Sequence, residues 1–219
     1  MKSIFLIAFF IISAIHLYHS YIDAMDARRI SKPFLVLMVI LFYVSASSVR
    51  DPLLIAALVL CWLGDVLLIP KGNKWFIFGG IAFLISHALF ILVNGFRIDW
   101  HQISVPVILV AAAVYLFISF RIIKAIIAYM PKTMAYAMYL YLFFNSTMNL
   151  TALVRLLQNT GTSTILNFIG AICFFISDCV LFLVRYHPNK DLIFKRHFTV
   201  MLTYLAAVLL ITLGVLTGE

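Results

Sequence analysis

Apolar residues run through this chain in long unbroken blocks, separated by short polar stretches. Neither the alternation of a half-buried strand nor the narrow stripe of a soluble helix is present. Blocks of this length match helices that cross about 30 Å of hydrocarbon. Eight are predicted, over residues 3–20, 33–48, 52–69, 75–95, 103–120, 133–155, 163–184 and 198–216. The stretch Arg121–Lys132 is too polar and too short to span, and reads as an amphipathic turn along the interface. Pro33, Pro52, Pro70, Pro106, Pro131 and Pro188 all fall at or near predicted span ends, where a missing amide costs least. No polar stretch is long enough for a separate soluble domain. Residues 1–219 therefore read as one integral-membrane domain, an all-α polytopic bundle of about eight transmembrane helices.

Composition agrees. Hydrophobic residues make up 65% of the chain and charged residues 11%, against about 45–50% and about 25% in soluble domains. The net charge of +8 does not indicate nucleic acid, because Lys and Arg cluster in short loops that face lipid headgroups. The loops after spans one, three, five and seven hold twelve basic residues, and the other side holds four. The positive-inside rule then puts both termini outside the cytoplasm. At the N-terminus, His16, Tyr18 and His19 stand where a signal peptide needs small residues, so the first helix is expected to be retained. Cys61, Cys173 and Cys179 all lie in apolar spans and read as packing residues.

Two carboxylates stand out against this background. Asp65 lies within the apolar run that begins at Leu53, and Asp178 lies among Phe174, Phe175, Ile176, Leu181 and Phe182. An Asp at the centre of a membrane helix costs roughly 2.5 to 3.5 kcal/mol, so such residues mark sites by default. At 1.5 Å per residue, Asp65, His16 and Asp178 lie roughly 6, 8 and 10 Å below the cytoplasmic ends of their helices, with His87 and Asn145 at up to about 20 Å. The expected site is thus in the cytoplasmic half, with Asp65 and Asp178 as catalytic residues.

Each position has a plainer use. A lone Asp serves as a hydrogen-bond partner between helices, but two at similar depth point to a site. His87 is a site residue or a satisfied core histidine. Asn145 and Asn149, four apart, share a face and commonly tie helices together. Lys32, beside Pro33, grips a lipid phosphate or snorkels to the interface. His16 and His19 are interfacial in the plainer reading. No His-Glu-x-x-His or paired-cysteine pattern supports a metal, and no cofactor is indicated. Leu63-Gly64-Asp65-Val66-Leu67-Leu68 echoes Ile176-Ser177-Asp178-Cys179-Val180-Leu181, which would suit a parallel duplication of four helices.

Several of these stretches resemble a known family. They are Lys32-Pro33, the Leu63–Leu68 run, Phe78-Gly79-Gly80 with Phe83 and His87, and Ser177-Asp178. In order and spacing they resemble the YhhN family, the bacterial branch of the lysoplasmalogenase proteins. The resemblance implies hydrolysis of the vinyl ether bond of a lysoplasmalogen, giving a fatty aldehyde and a glycerophospho-ethanolamine or -choline. It implies a lysophospholipid partner among membrane lipids, with His87, Lys32, Asn145 and His16 as substrate-binding candidates. A vinyl ether resists nucleophiles but yields to acid, and one carboxylic acid with one carboxylate would serve, as in glycoside hydrolysis. The competing expectations are a proton-coupled transporter or lipid-binding protein that uses the same Asp pair, and another lipid hydrolase with the same dyad.

Overall fold

The computed structural model describes residues 2–218. Met1 and Glu219, the ends assigned to the outside, lie outside the described residues, as do the side chains of Lys2 and Thr133. The described chain is helical throughout: α1 (Lys2–Tyr21), α2 (Met25–Ala46), α3 (Pro52–Leu67), α4 (Asn73–Gly95), α5 (Val105–Ile126), α6 (Lys132–Gln158), α7 (Thr162–Tyr186) and α8 (Arg196–Leu216), with a 3₁₀ turn at Ile127–Tyr129.

Among the described residues six helices are long and apolar enough to cross a membrane, so the chain is a multi-pass membrane protein. The expected eight is approximate, and two helices account for the difference. α3 has 16 residues, about 24 Å, which is short for about 30 Å of hydrocarbon. α6 is long, at 27 residues, but carries Asn145, Ser146, Thr147, Asn149, Thr151 and Arg155.

Two boundaries differ from the sequence reading. α2 begins at Met25, eight residues before the expected start, so Pro33 lies inside the helix. Helical structure extends past the apolar run because polar residues at the membrane surface also satisfy a helix. The Arg29 guanidinium meets Asp26 at 3.1 Å, and the Ser31 hydroxyl donates to the Ala27 carbonyl at 3.3 Å. The Pro33 carbonyl accepts from the Trp62 indole at 2.8 Å, joining α2 to α3. The Arg121–Lys132 stretch is not one interfacial turn either. α5 continues to Ile126, burying Ile123 and Ile126, and α6 starts at Lys132.

Helices α1, α2, α3, α4, α6, α7 and α8 pack in that order into a closed ring, with α1 meeting α8. α5 lies outside the ring, against α6 and α7. Lipid supplies little hydrophobic drive for helix association, so close packing rests on small residues and polar ties. Gly64 shows this: a Cβ there would stand 2.6 Å from a ring carbon of Phe83 on α4. At Gly170 a Cβ would come within 2.7 Å of Ile211 on α8. The Cys61 thiol and the Ser86 hydroxyl, 3.0 Å apart, add a polar tie between α3 and α4.

The two echoed stretches behave alike. Gly64, preceding Asp65, packs against the following helix α4. Ser177, preceding Asp178, donates to the Val200 carbonyl on the following helix α8 at 3.0 Å. In each, the small residue faces the next helix, and the neighbouring aspartate reaches other members of the ring.

Candidate functional site

Asp178, on α7, is 5% exposed. Its Oδ2 accepts from the Asn145 amide at 2.6 Å and the Tyr141 hydroxyl at 3.0 Å, both on α6. Tyr141 and Asn145 are four apart and share one helical face. The orientation of the Asn145 amide is fixed from behind. Asn149 Nδ2 donates to Asn145 Oδ1 at 3.1 Å and to the Asn145 carbonyl at 3.0 Å. The Tyr115 hydroxyl donates to Asn149 Oδ1 at 3.1 Å. A polar chain thus runs from α5 through α6 to the carboxylate, and each amide has only one workable orientation. Nothing among the described residues bonds Asp178 Oδ1.

His87, on α4, completes this cluster. Its Nδ1 lies 2.6 Å from the Phe83 carbonyl, which can only accept, so Nδ1 carries a proton. In a neutral ring the other nitrogen is then bare. That atom, Nε2, faces Asp178 Oδ2 at 3.3 Å, out of hydrogen-bond alignment. Two lone pairs at this distance repel in a low-dielectric interior.

Asp65, on α3, is 2% exposed and has a different set of partners. Its Oδ1 meets Lys32 Nζ of α2 at 3.3 Å, and its Oδ2 accepts from the Tyr204 hydroxyl of α8 at 2.8 Å. The Lys32 side chain keeps 17% exposure. The two carboxylates share no direct partner, but aromatic rings connect their surroundings. Phe174 stacks edge-on against His87 at 4.7 Å and against Tyr204 at 5.5 Å between centroids. Phe83 contacts Phe174 and Tyr204. Cys61 and Tyr204 each lie in the field of both carboxylates.

Two hollows adjoin these clusters. The larger, about 480 Å³, has basic walls that include Lys32, Arg185 and Arg196, together with His16. The smaller, about 210 Å³, is an apolar groove between α4, α6 and α7. Asp178 and Tyr141 are on its wall, beside Gly80, Leu84, Met138 and Phe182. Leu68, Phe76 and Leu181 line both hollows, so they are adjacent. A basic chamber thus lies beside an apolar groove that has Asp178 on its wall.

The sequence candidates thus separate into two groups. His87 and Asn145 join Asp178, whereas Lys32 joins Asp65. His16, 1% exposed, bonds through Nδ1 to the Ser31 hydroxyl at 2.8 Å and lines the basic chamber. It touches neither carboxylate. Sequence reasoning did not single out Tyr141 or Tyr204. Tyr141 had a signal, its four-residue spacing to Asn145. Tyr204 had none, since its partner lies 139 residues away.

Compared with known proteins, residues 27–215 match the model of the YhhN family. No curated protein and no solved structure matches the chain.

Proposed function

The chain belongs to the YhhN family, and from that premise we propose that it is a membrane-embedded hydrolase of lysoplasmalogen-type lipids. The bond cleaved is the vinyl ether that joins the hydrocarbon chain to glycerol. The observation that carries this reading is Asp178 on the wall of an apolar groove, beside His87 and next to a basic chamber. A single-chain phospholipid has the matching shape, one apolar tail and one phosphate headgroup. Its vinyl ether lies just below the headgroup, where the two hollows meet.

The chemistry follows from the partners. Asp178 Oδ2 is taken up by the Asn145 and Tyr141 donors, which leaves Oδ1 without a donor among the described residues. Asp178, as the carboxylic acid, gives the proton on its Oδ1 to the β-carbon of the vinyl ether. The π electrons form the new C–H bond, and the ether oxygen stabilises the resulting oxocarbenium ion. The carboxylate left on Asp178 offsets that positive charge. Water adds to the cationic carbon and loses a proton. The hemiacetal then collapses, breaking its C–O bond to give the fatty aldehyde and the glycerol hydroxyl. Lys32 and Tyr204 both donate to Asp65. Asp65 is proposed as the carboxylate that accepts the proton from water, and Asp178, beside His87, as the acid.

The test is direct. Purified protein in uncharged detergent, given a 1-alkenyl lysophospholipid, is expected to release fatty aldehyde and glycerophospho-compound in equal amounts. Failure to release aldehyde from this lipid by folded protein would overturn the reading.

A further inference from the structure

Arg28, Arg29, Lys32, Lys71, Arg185 and Arg196 all line the larger hollow, and no carboxylate does. Part of this charge is compensated from behind the walls. Asp23 meets Arg28 at 3.1 Å and Arg196 at 3.9 Å. Asp26 meets Arg29 at 3.1 Å, and Asp65 meets Lys32 at 3.3 Å. Three carboxylates therefore serve four cations. Among the described residues no carboxylate pairs with Lys71 or Arg185. Loop cations of a membrane protein ordinarily spread across the headgroup layer. Here the ends of α2, α3, α7 and α8 turn theirs into one concave space, which focuses the field and raises the local concentration of anions.

Arg185 is preset for an oxyanion. Its guanidinium carbon sits 3.7 Å from the centroid of the Phe76 ring, and one terminal nitrogen donates to Asn73 Oδ1 at 2.9 Å. A planar fork held this way loses little freedom when it takes two oxygens of a phosphate. Lys32 is held from behind by Asp65, with its ammonium group on the chamber wall.

The same chamber is poorly suited to a choline or ethanolamine ammonium group. No carboxylate lines it, and its phenyl ring, Phe76, is already covered by Arg185. The nearby carboxylate Asp23 is engaged by Arg28 and Arg196.

We propose that this chamber is the headgroup subsite of the enzyme and selects a single-chain lipid ending in an anionic phosphate monoester over one ending in a zwitterionic phosphodiester. The inference rests on the reading of the adjoining groove as the seat of the lipid chain. It goes beyond that reading by naming the headgroup class and assigning Arg185 and Lys71 to phosphate recognition.

Binding of uncleavable lipids tests it without turnover, so failure of the hydrolase reading and failure of this one are distinguishable. The probes share one chain length: 1-alkylglycerol 3-phosphate, 1-alkylglycerophosphocholine and 1-alkylglycerol. Free glycerol 3-phosphate is the competitor that separates a lipid headgroup from a soluble phosphate. Affinities are measured on purified protein in uncharged detergent. The phosphate monoester is expected to bind about tenfold tighter than the phosphocholine lipid, an advantage that shrinks as salt rises. Arg185→Gln and Lys71→Gln should each weaken the monoester about tenfold, the loss of one charge-assisted contact, and leave 1-alkylglycerol unchanged. Lys71 is exposed, so its substitution leaves the fold intact. Equal affinity for monoester and phosphocholine lipid would overturn the selectivity. A monoester no tighter than 1-alkylglycerol would overturn the subsite. Displacement of the lipid by equimolar glycerol 3-phosphate would make the chamber a site for soluble phosphate and overturn the headgroup assignment.

Discussion

Replacing Asp178 by Asn separates its structural from its chemical role. Asp178 Oδ2 accepts two hydrogen bonds, from Asn145 at 2.6 Å and Tyr141 at 3.0 Å. The carbonyl oxygen of an Asn side chain can occupy that place and keep both donors satisfied. Its amide nitrogen then takes the Oδ1 position. Asn145 and Tyr141 both keep their bonds, and a potentially charged group leaves a low-dielectric interior. The cost in stability should stay within about 1 kcal/mol, a Tm change of no more than about 4 °C for a chain of this size. Chemically the change is severe, because an amide has no acidic proton to give. A positioned general acid contributes about 10²- to 10⁴-fold, or about 3 to 5 kcal/mol of barrier. The assay is steady-state aldehyde release from a 1-alkenyl lysolipid, with thermal unfolding followed in parallel. The expected result is a kcat lowered at least about 100-fold, with KM and Tm nearly unchanged. A kcat within about threefold of the parent, well short of what a general acid supplies, would refute the reasoning and make Asp178 a tie between α6 and α7.

Other substitutions separate the remaining parts. Asp65→Asn removes the proposed base and releases Lys32, so kcat should fall while KM rises; a change in neither, measured on folded protein, would remove Asp65 from the site. Gly64→Leu drives a side chain into Phe83 and should lower Tm by several degrees. Gly80→Leu meets open space on the groove wall and should leave Tm alone while slowing turnover of long-chain more than short-chain substrates. Reporter fusions in the loop between α7 and α8 and after α8 should give cytoplasmic and external signals respectively, as twelve against four basic residues require.

The helical membrane architecture was legible because hydrophobic run length is a direct physical requirement of the bilayer. Helix ends were less so. α2 starts at Met25 because Asp26, Arg29 and Ser31 satisfy a helix at the surface as well as apolar residues do inside. The carboxylates were legible as costly exceptions in apolar runs, and Asn145 as one of two asparagines that share a helical face. Their partition was not. Whether Lys32 meets Asp65 or Asp178 depends on the order of helices around the ring, and no local spacing encodes that order. Tyr204 was hidden for the same reason, since a tyrosine in a membrane helix ordinarily needs no special partner. The basic chamber was visible only as scattered loop charges until the fold brought Arg28, Lys71, Arg185 and Arg196 to one hollow.

The central claim is that the protein cleaves a vinyl ether by protonating carbon. Three lysolipids with one headgroup and one chain length test it most directly, joined at position 1 through an alkenyl ether, an alkyl ether or an acyl ester. The alkenyl lipid alone should be cleaved. The alkyl lipid keeps the shape and the oxygen but lacks the double bond that accepts the proton, so it should bind as an inhibitor and stay intact. The acyl lipid should also persist, since no serine or cysteine nucleophile is paired with a base in the described groove. Comparable cleavage of the acyl lipid would contradict the account and make the protein a lysophospholipase. No cleavage of any lipid, with proton-driven flux into liposomes that depends on Asp65 and Asp178, would make it a transporter.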